Sequence, residues 1–521
     1  MSRNVRHGRA NHGAGLQRDI PSSRFVVASC DMIGFLQARE KILAASLIII
    51  FFLLNLSIAS RSPFGAWQDE VTYTDPGLNL AVGKGWTSSV WPWETDREFY
   101  ADNSPLYPAG LSLWVRVFGI SMVSARAYCY SLAAIGMLLL WLGTFRFQLL
   151  TPAYRLFWIV ILSTEYGMNW MERNERYDVW IFVGLALAWF GASLRNPPAK
   201  YPLIFAGCFL VPFAGFIGVP YIFLAAGLVI VLTRFKFWKE AVTGMAGAGF
   251  GVVGVALFFL VFGKLQTFWA CLHKLTASEQ IMNHPAFQVF LYPLDDMGMV
   301  VMIGLLAVLS FYSWKYPSPC SLAWLGLGWG MVLLMPCVML MRGLFIMMYF
   351  YMLIIPLSLA ILQLARQAAD GARGRYMAVA VTLVMGMLCL GGLPARLYTS
   401  WTNWDFRDPQ HMRDFVRTYV HPDDAVFADY PFYFELRDYA KFVAMPHYLW
   451  IIPPDEARQI TVALVGDRAM PDLTRDASGM LGIGGGWKKV AVFPTPEMEA
   501  KLKGAPKHDT FTLYRREAPS P

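Results

Sequence analysis

Apolar runs about twenty residues long recur through most of the chain, and they constrain its fold more than any other feature. Twenty apolar residues in a helix match the hydrocarbon thickness of a bilayer. The first run covers 42–60. Others lie near 122–144, 154–170, 179–194, 201–217, 219–233, 242–262, 297–313, 320–341, 343–364 and 376–393. They predict an α-helical polytopic membrane protein with about eleven transmembrane helices. The boundary at Gly218-Val219-Pro220 matters, because merging its two runs would change the parity. Only 15% of the residues are charged, against roughly 25% in soluble domains. That deficit excludes a single soluble fold, a disordered chain and a collagen-like repeat. Residues 402–521 differ: 120 positions carry 17 acidic and 15 basic side chains, while the other 401 carry 19 and 29. The end of the chain therefore reads as a soluble domain.

The first run is longer than the roughly 7–15 residues of a signal-peptide core, so a retained span is expected in place of a cleaved leader. Residues 1–40 are basic and aperiodic and are expected to form a disordered cytoplasmic arm; Met32 is an alternative start. With eleven spans, Arg146 and Arg155, Arg195 and Lys200, Arg234, Lys236 and Lys239, Lys315, and Arg366, Arg373 and Arg375 share the side of the arm. Positive-inside bias makes that side the cytoplasm. Arg173 and Arg176 are the main exceptions. The outer face then holds the loop 61–121, the loop 263–296 and the tail. Domain limits of 41–395 for the membrane domain and 396–521 for the tail follow. In the tail, 408–420 has a helical period, while 423–430, 460–467, 488–493 and 510–516 read as strands, giving a small α/β domain. The net charge of +8 belongs to the membrane region, so no nucleic-acid partner is expected. Seven scattered cysteines with no C-x-x-C predict neither a disulfide framework nor a cysteine zinc site.

The spans are almost free of ionisable groups, whereas a transporter places them at mid-membrane. The polar clusters lie in outer connections. The first is Trp67-Gln68-Asp69-Glu70-Val71-Thr72-Tyr73, continuing to Asp75 and Asn79. One carboxylate there suits a general base at the interface; the alternative is a helix cap by Asp69. The second is Glu172-Arg173-Asn174-Glu175-Arg176-Tyr177-Asp178. It reads either as a charged wall for a phosphate or sugar, with Asp178 as a second acid, or as a solvated loop with weak local ion pairs. The third is Arg342 with Tyr349 and Tyr351. This arginine either snorkels to lipid phosphates or holds one specific phosphate. Lys84 stands between Gly83 and Gly85, where backbone can approach a ligand, but this is not a P-loop. His273, Lys274 and His284 have no paired spacing for a metal, and a loop lying on lipid accounts for them.

Asp69-Glu70 with Tyr73 just past the first span resembles the opening motif of the GT-C glycosyltransferases that use polyprenyl-phosphate sugars. This superfamily includes protein O-mannosyltransferases, lipid A aminoarabinose transferases and rhizobial galacturonic acid transferases. Asn103-Ser104-Pro105-Leu106-Tyr107-Pro108 is similar to the family's P-P-L-Y-P stretch, with Ser104 replacing its first proline. Trp114–Gly119, with Ser124-Ala125-Arg126, fits the next helix pair. Arg173–Asp178 is similar to the Arg-rich turn that ends in an acid. Arg342, Tyr349-Phe350-Tyr351 and Pro356 resemble a loosely spaced R-Y-x-L-P-x-x-P element. The likeness is strongest over 40–200 and faint in the tail.

The resemblance implies a GT-C fold and an inverting transfer from a polyprenyl-phosphate sugar donor, its tail in membrane lipid, to a periplasmic glycan, lipid or protein acceptor. Asp69 would be the base, with Glu70 beside it. Arg342, Lys84, Arg173 and Arg176 would be the donor-phosphate cations, and Tyr73, Asp178 and Tyr349 further site candidates. No cofactor is implied. A divalent metal occurs in parts of the superfamily, but no D-x-D lies near the spans. A transporter or flippase of a lipid-linked sugar, or a membrane scaffold, are the competing readings. The first would need polar groups inside the spans, and the second would tolerate loss of every cluster.

Overall fold

The chain is mostly helical in the computed structural model, which describes residues 23–88, 90, 99–101, 103–173, 175–277, 291, 294, 296–317, 319–341, 347–446, 454–466, 487–500 and 510–517. The helices are α1 Ser23–Ser57, α2 Gln68–Ala81, α3 Leu106–Phe118, α4 Met122–Arg146, α5 Pro152–Thr164, α6 Tyr166–Arg173, α7 Asp178–Ala192, α8 Pro197–Ala214, α9 Gly218–Leu232, α10 Trp238–Val261 and α11 Leu265–Ala277. They continue as α12 Met297–Lys315, α13 Pro319–Met341, α14 Ile354–Ala368, α15 Ala372–Leu388, α16 Leu393–Thr402 and α17 Pro409–Tyr419.

The expected spans fall largely on helices where they are described, but 154–170 is broken between α5 and α6, and of 343–364 the residues 343–346 lie outside the described residues and α14 begins only at Ile354. Six stretches are long and apolar enough to cross a membrane: Ala38–Ser57, Met122–Arg146, Trp238–Val261, Met297–Lys315, Phe350–Ala368 and Gly374–Thr402. Pro152–Thr164, Asp178–Ala192, Gly218–Leu232 and Ser321–Cys337 are apolar but shorter. The chain is a multi-pass membrane protein, but length alone supports six full spans among the described residues in place of about eleven. A helix of 13 residues such as α5 reaches only about 20 Å, short of the roughly 30 Å of a hydrocarbon core. The runs on either side of residues 215–217 are separate helices, α8 ending at Ala214 and α9 starting at Gly218. Helices α7, α8 and α10 approach backbone to backbone. A Cβ at Gly184 would lie 2.7 Å from Gly207 O, and one at Gly251 would lie 2.5 Å from Phe209 O. Small residues at such crossings are how helices pack in lipid.

Cross-helix contacts define two ends. At one, Glu40 of α1 accepts from Arg155 Nε (2.6 Å) and Nη2 (2.7 Å) of α5, and from Trp141 Nε1 (3.2 Å) of α4. Leu150 N donates to Gln363 Oε1 of α14 (3.1 Å), and Lys200 Nζ to Glu240 Oε1 (3.0 Å), joining the starts of α8 and α10. Helix α1 begins at Ser23, within the segment 1–40 expected to be a disordered arm, of which residues 1–22 lie outside the described residues; near the end of that segment Glu40 is buried and bonded. At the other end Arg126, in the first turn of α4, donates to Ala59 O just beyond α1.

The tail sits at this second end. Helix α16 runs across the expected 395/396 boundary, so the tail leaves the bundle near Asn403. Its sheet has the order β2-β1-β3-β5-β4, with β1 Ala425–Ala428, β2 Phe442–Ala444, β3 Val462–Gly466, β4 Trp487–Phe493 and β5 Phe511–Arg516. Strand β1 pairs in parallel with β2 and β3, while β5 runs antiparallel to β3 and β4. Met412, Phe415 and Val416 of α17 close one face over Val426, Leu464, Phe493 and Leu513. The domain docks on the loop after α1. Arg61 Nη2 meets Asp408 Oδ2 at 3.1 Å. Gly65, at φ +75°, lies so close to Pro431 that an added Cβ would be 2.6 Å from its Cβ.

Candidate active site

The site is built around the first turn of α2. Its entry is fixed by Glu70, whose carboxylate accepts the Trp67 N–H at 2.8 Å. The capping task that one reading gave to Asp69 thus belongs to its neighbour. Glu70 also receives Arg126 through Nη2 (2.8 Å) and Nε (3.2 Å), and both side chains are fully buried. Arg126 donates further to Pro63 O (3.1 Å) and Gly65 O (2.9 Å). One guanidinium therefore ties the loop 59–65 to the start of α2, and its charge offsets the burial of Glu70. A second carboxylate shares it: Glu175 Oε1 lies 3.5 Å from Arg126 Nε, while Oε2 accepts from Thr74 Oγ1 at 2.9 Å. Burial first, and the Glu70 charge second, push the Glu175 carboxyl well above the ordinary range.

Asp69 points elsewhere. Its carboxylate pairs with Arg176 Nη1, and Arg176 Nε bonds Asp178 Oδ2 at 2.7 Å. Arg176 is 1% exposed and lies against the rings of Tyr73 (5.3 Å), Tyr177 (5.4 Å) and Trp170 (5.9 Å). Tyr73 and Tyr177 meet edge to face at 4.9 Å. Asp69 keeps 20% of its side-chain surface exposed, so a reactant can reach it. Burial raises its carboxyl above the usual aspartate range; Arg176 opposes this, and Asp178 and Glu70 add to it. Arg176, which also bonds Asp178, orients Asp69 and opposes the rise, but the effect of burial is the larger.

The structure thus gathers Asp69, Glu70, Tyr73, Arg176 and Asp178. The 172–178 segment is not a solvated loop: Glu172, Glu175 and Arg176 are each at most 1% exposed, and the partner of Arg176 is 107 residues away. Arg173 ends α6 and lines a different cavity, with Arg396. Lys84 is exposed in the turn after α2, its N–H bonded to Asn79 O at 2.9 Å. Arg342, His284 and the side chains of Tyr349 and Lys274 lie outside the described residues. Among the described residues no group of three His, Cys, Asp or Glu side chains is placed to hold a metal ion.

Sequence reasoning assigned no role to a network behind the site. Asp75 accepts from Ser88 Oγ (3.0 Å), Asn79 Nδ2 (3.3 Å) and the Tyr433 hydroxyl. Arg437 donates to Tyr433 Oη (2.7 Å) and Asn79 Oδ1 (3.3 Å). Asp75 and Asn79 are one helical turn apart, which was a usable signal. Their partners lie 358 residues on, in a tail with no readable motif.

Most of the chain superposes on ArnT from Cupriavidus metallidurans. Bound to undecaprenyl phosphate, that protein matches with a TM-score of 0.59 and 12% identity over 91% of this chain and 97% of its own. In its apo state it matches at 0.56 and 12%, over 94% and 98%. The Archaeoglobus fulgidus oligosaccharyltransferase tethered to an acceptor peptide matches at 0.45 and 9%, over 88% and 74%. No protein-family model and no curated protein sequence matches the chain. The chain has the fold of the GT-C glycosyltransferases.

Proposed function

We propose that the protein is an inner-membrane glycosyltransferase that moves a sugar from a polyprenyl-phosphate donor to a periplasmic acceptor with inversion. The observation that carries this reading is the state of Asp69: reachable, oriented by a buried arginine, and raised in pKa, at the end of the bundle that also receives the tail. The likeness to a protein solved with undecaprenyl phosphate supports the donor class. Asp69 takes the proton of the acceptor hydroxyl as its oxygen attacks the anomeric carbon. The bond from that carbon to the phosphate oxygen breaks, and polyprenyl phosphate leaves with the bonding pair. A phosphate is a good leaving group, so cations that hold it matter more than a general acid. Arg342 and Lys84 are proposed for that role. Arg176 is already committed to Asp69 and Asp178 and serves as a positioning residue, as does Glu70.

A strain lacking this chain, examined by lipid and glycan mass spectrometry, should accumulate a polyprenyl-phosphate sugar and lose that sugar from one envelope acceptor. Re-expressed wild type should restore both, and Asp69→Asn neither. Full restoration by Asp69→Asn would remove the enzyme reading and favour a carrier for the lipid-linked sugar.

A further inference from the structure

Behind the loop that Arg126 fixes lies a cavity of about 360 Å³, walled by Ser62–Phe64, by α6 and α16, and by Pro431, Phe493 and Phe511 of the tail. Three arginines reach it from three segments: Arg173, Arg396 and Arg407. None has a carboxylate partner among the described residues. Arg396 spends its donors on neutral oxygens: Asn55 Oδ1 (3.0 Å), Asn169 Oδ1 (2.7 Å), Ser62 Oγ (3.2 Å) and Ser62 O (3.0 Å). Arg407 Nη1 donates to Arg61 O at 3.0 Å. The Nε atoms of Arg173 and Arg407 are buried and make no hydrogen bond. Burial, and then the charge of Arg396, pull the Arg173 guanidinium down to about 10, so it remains a cation at neutral pH.

Three partly buried like charges with unused donors destabilise one another unless a counter-charge enters. Elsewhere at this end the protein supplies one: Glu70 for Arg126, Asp69 and Asp178 for Arg176. Here no carboxylate among the described residues forms an ion pair with the three; Arg396 feels the buried Glu172, and Arg173 feels Glu70, only at longer range. Most of the remaining wall is apolar, with Phe64, Phe406, Met412, Phe493 and Phe511 prominent and Ser62 and Thr399 its polar members, which gives an oxyanion a seat of low dielectric.

We infer that this cavity, between the membrane bundle and the tail, is a binding site for a phosphate oxyanion, held by Arg173, Arg396 and Arg407. Its lining includes none of Asp69, Glu70, Arg126, Arg176 or Asp178, so it is a different cavity from the Asp69 cluster. The ligand is either free phosphate or the headgroup of an anionic lipid. Its place at the joint between bundle and tail means that occupancy clamps the tail onto the loop leading into α2.

The test uses the full chain in phosphatidylcholine nanodiscs, melted with inorganic phosphate or pyrophosphate against chloride at matched ionic strength. Phosphate should raise the melting temperature, and Arg173→Gln should weaken its apparent affinity by about ten- to a hundredfold, the equivalent of one charge-assisted contact. Thr399→Glu places a carboxylate in the cavity wall; it should stabilise the phosphate-free protein and abolish the phosphate response. Asp69→Asn should leave the response intact, so failure of the catalytic reading and failure of this one are distinguishable. In phosphatidylglycerol nanodiscs a raised baseline with a blunted phosphate response identifies the lipid headgroup as occupant, whereas an unaltered response identifies free phosphate. Equal melting in phosphate and chloride with no effect of phosphatidylglycerol, or destabilisation by Thr399→Glu with the response retained, overturns the inference.

Discussion

The two ends of the helical bundle both bury ion pairs, but they treat them differently. At the end that holds the start of α8, one carboxylate meets one guanidinium. Glu40 receives two bonds from Arg155 and one from Trp141, and Arg155 places its remaining donors on Leu149 O and Leu150 O. At the end that receives the tail, Arg126 serves Glu70 and Glu175, and Arg176 serves Asp69 and Asp178. Glu172 and Glu165 each keep a buried oxygen without a hydrogen bond. The first arrangement is saturated and holds helices in place. The second tolerates polar groups that are unevenly matched, which is what a site with work to do looks like.

The contrast can be broken most forcefully at the saturated end. Arg155→Ala strands Glu40 in the bundle and should destabilise the protein by about 3–5 kcal/mol. Folded molecules of this variant should keep their turnover per molecule, read by thermal melting beside sugar transfer. Loss of turnover without loss of stability would mean that the two ends are not separate in function. Arg342→Ala should weaken binding of the lipid donor by about 1.5–3 kcal/mol, and Lys should not fully replace it because the forked geometry is lost. Unchanged donor affinity would reduce this arginine to a snorkelling residue.

Tyr433→Phe removes the hydroxyl that bonds the buried Asp75 and should loosen the tail from α2 by about 1–3 kcal/mol. Proteolysis of the tail and a rise in KM larger than any fall in kcat should report it. The smallest effect is expected at Glu172, whose carboxyl burial pushes well above the ordinary range. An acid with a raised folded pKa binds protons more tightly when folded, so its contribution to stability falls as pH rises from its unfolded value of about 4.3 to its folded one. Glu172→Gln should flatten that fall and be neutral or stabilising at pH 8, within about 1 kcal/mol. Marked destabilisation there would show that the attraction of Arg396, which opposes the effect of burial on Glu172, outweighs it.

Much of this was legible in the sequence. Hydropathy located helices under the expected spans where they are described, but not the break between α5 and α6, and alternation located four of the five described strands. Strand β2, at three residues, is too short to show a period. Asp69, Glu70 and the 173–178 cluster stood out because charges are scarce around them. Which acid meets Arg126 and which meets Arg176 did not, since both contacts are more than fifty residues apart; the cap by Glu70 on the Trp67 N–H is local, three residues apart, and was open to a sequence reading. Arg173 and Arg176 break the positive-inside pattern for a physical reason: neither is exposed in a connection, Arg176 being buried and paired with two acids and Arg173 half-buried in a cavity wall. The cavity with three arginines had no local signal, because each comes from a different segment and the missing counter-charge is a property of the assembled walls.

The central claim is that Asp69 acts as a base and is not a structural member of its cluster. Purified wild type and Asp69→Asn should be compared for sugar transfer across pH, with thermal stability and lipid-donor binding measured on the same preparations. The account predicts a roughly 10²–10⁴-fold loss of turnover, with melting temperature and donor affinity near those of wild type. The wild-type rate should rise with pH through a pKa above the ordinary aspartate value of about 3.9, and that limb should vanish in the variant. Turnover within a few-fold of wild type, or a loss that follows the melting temperature, would contradict it.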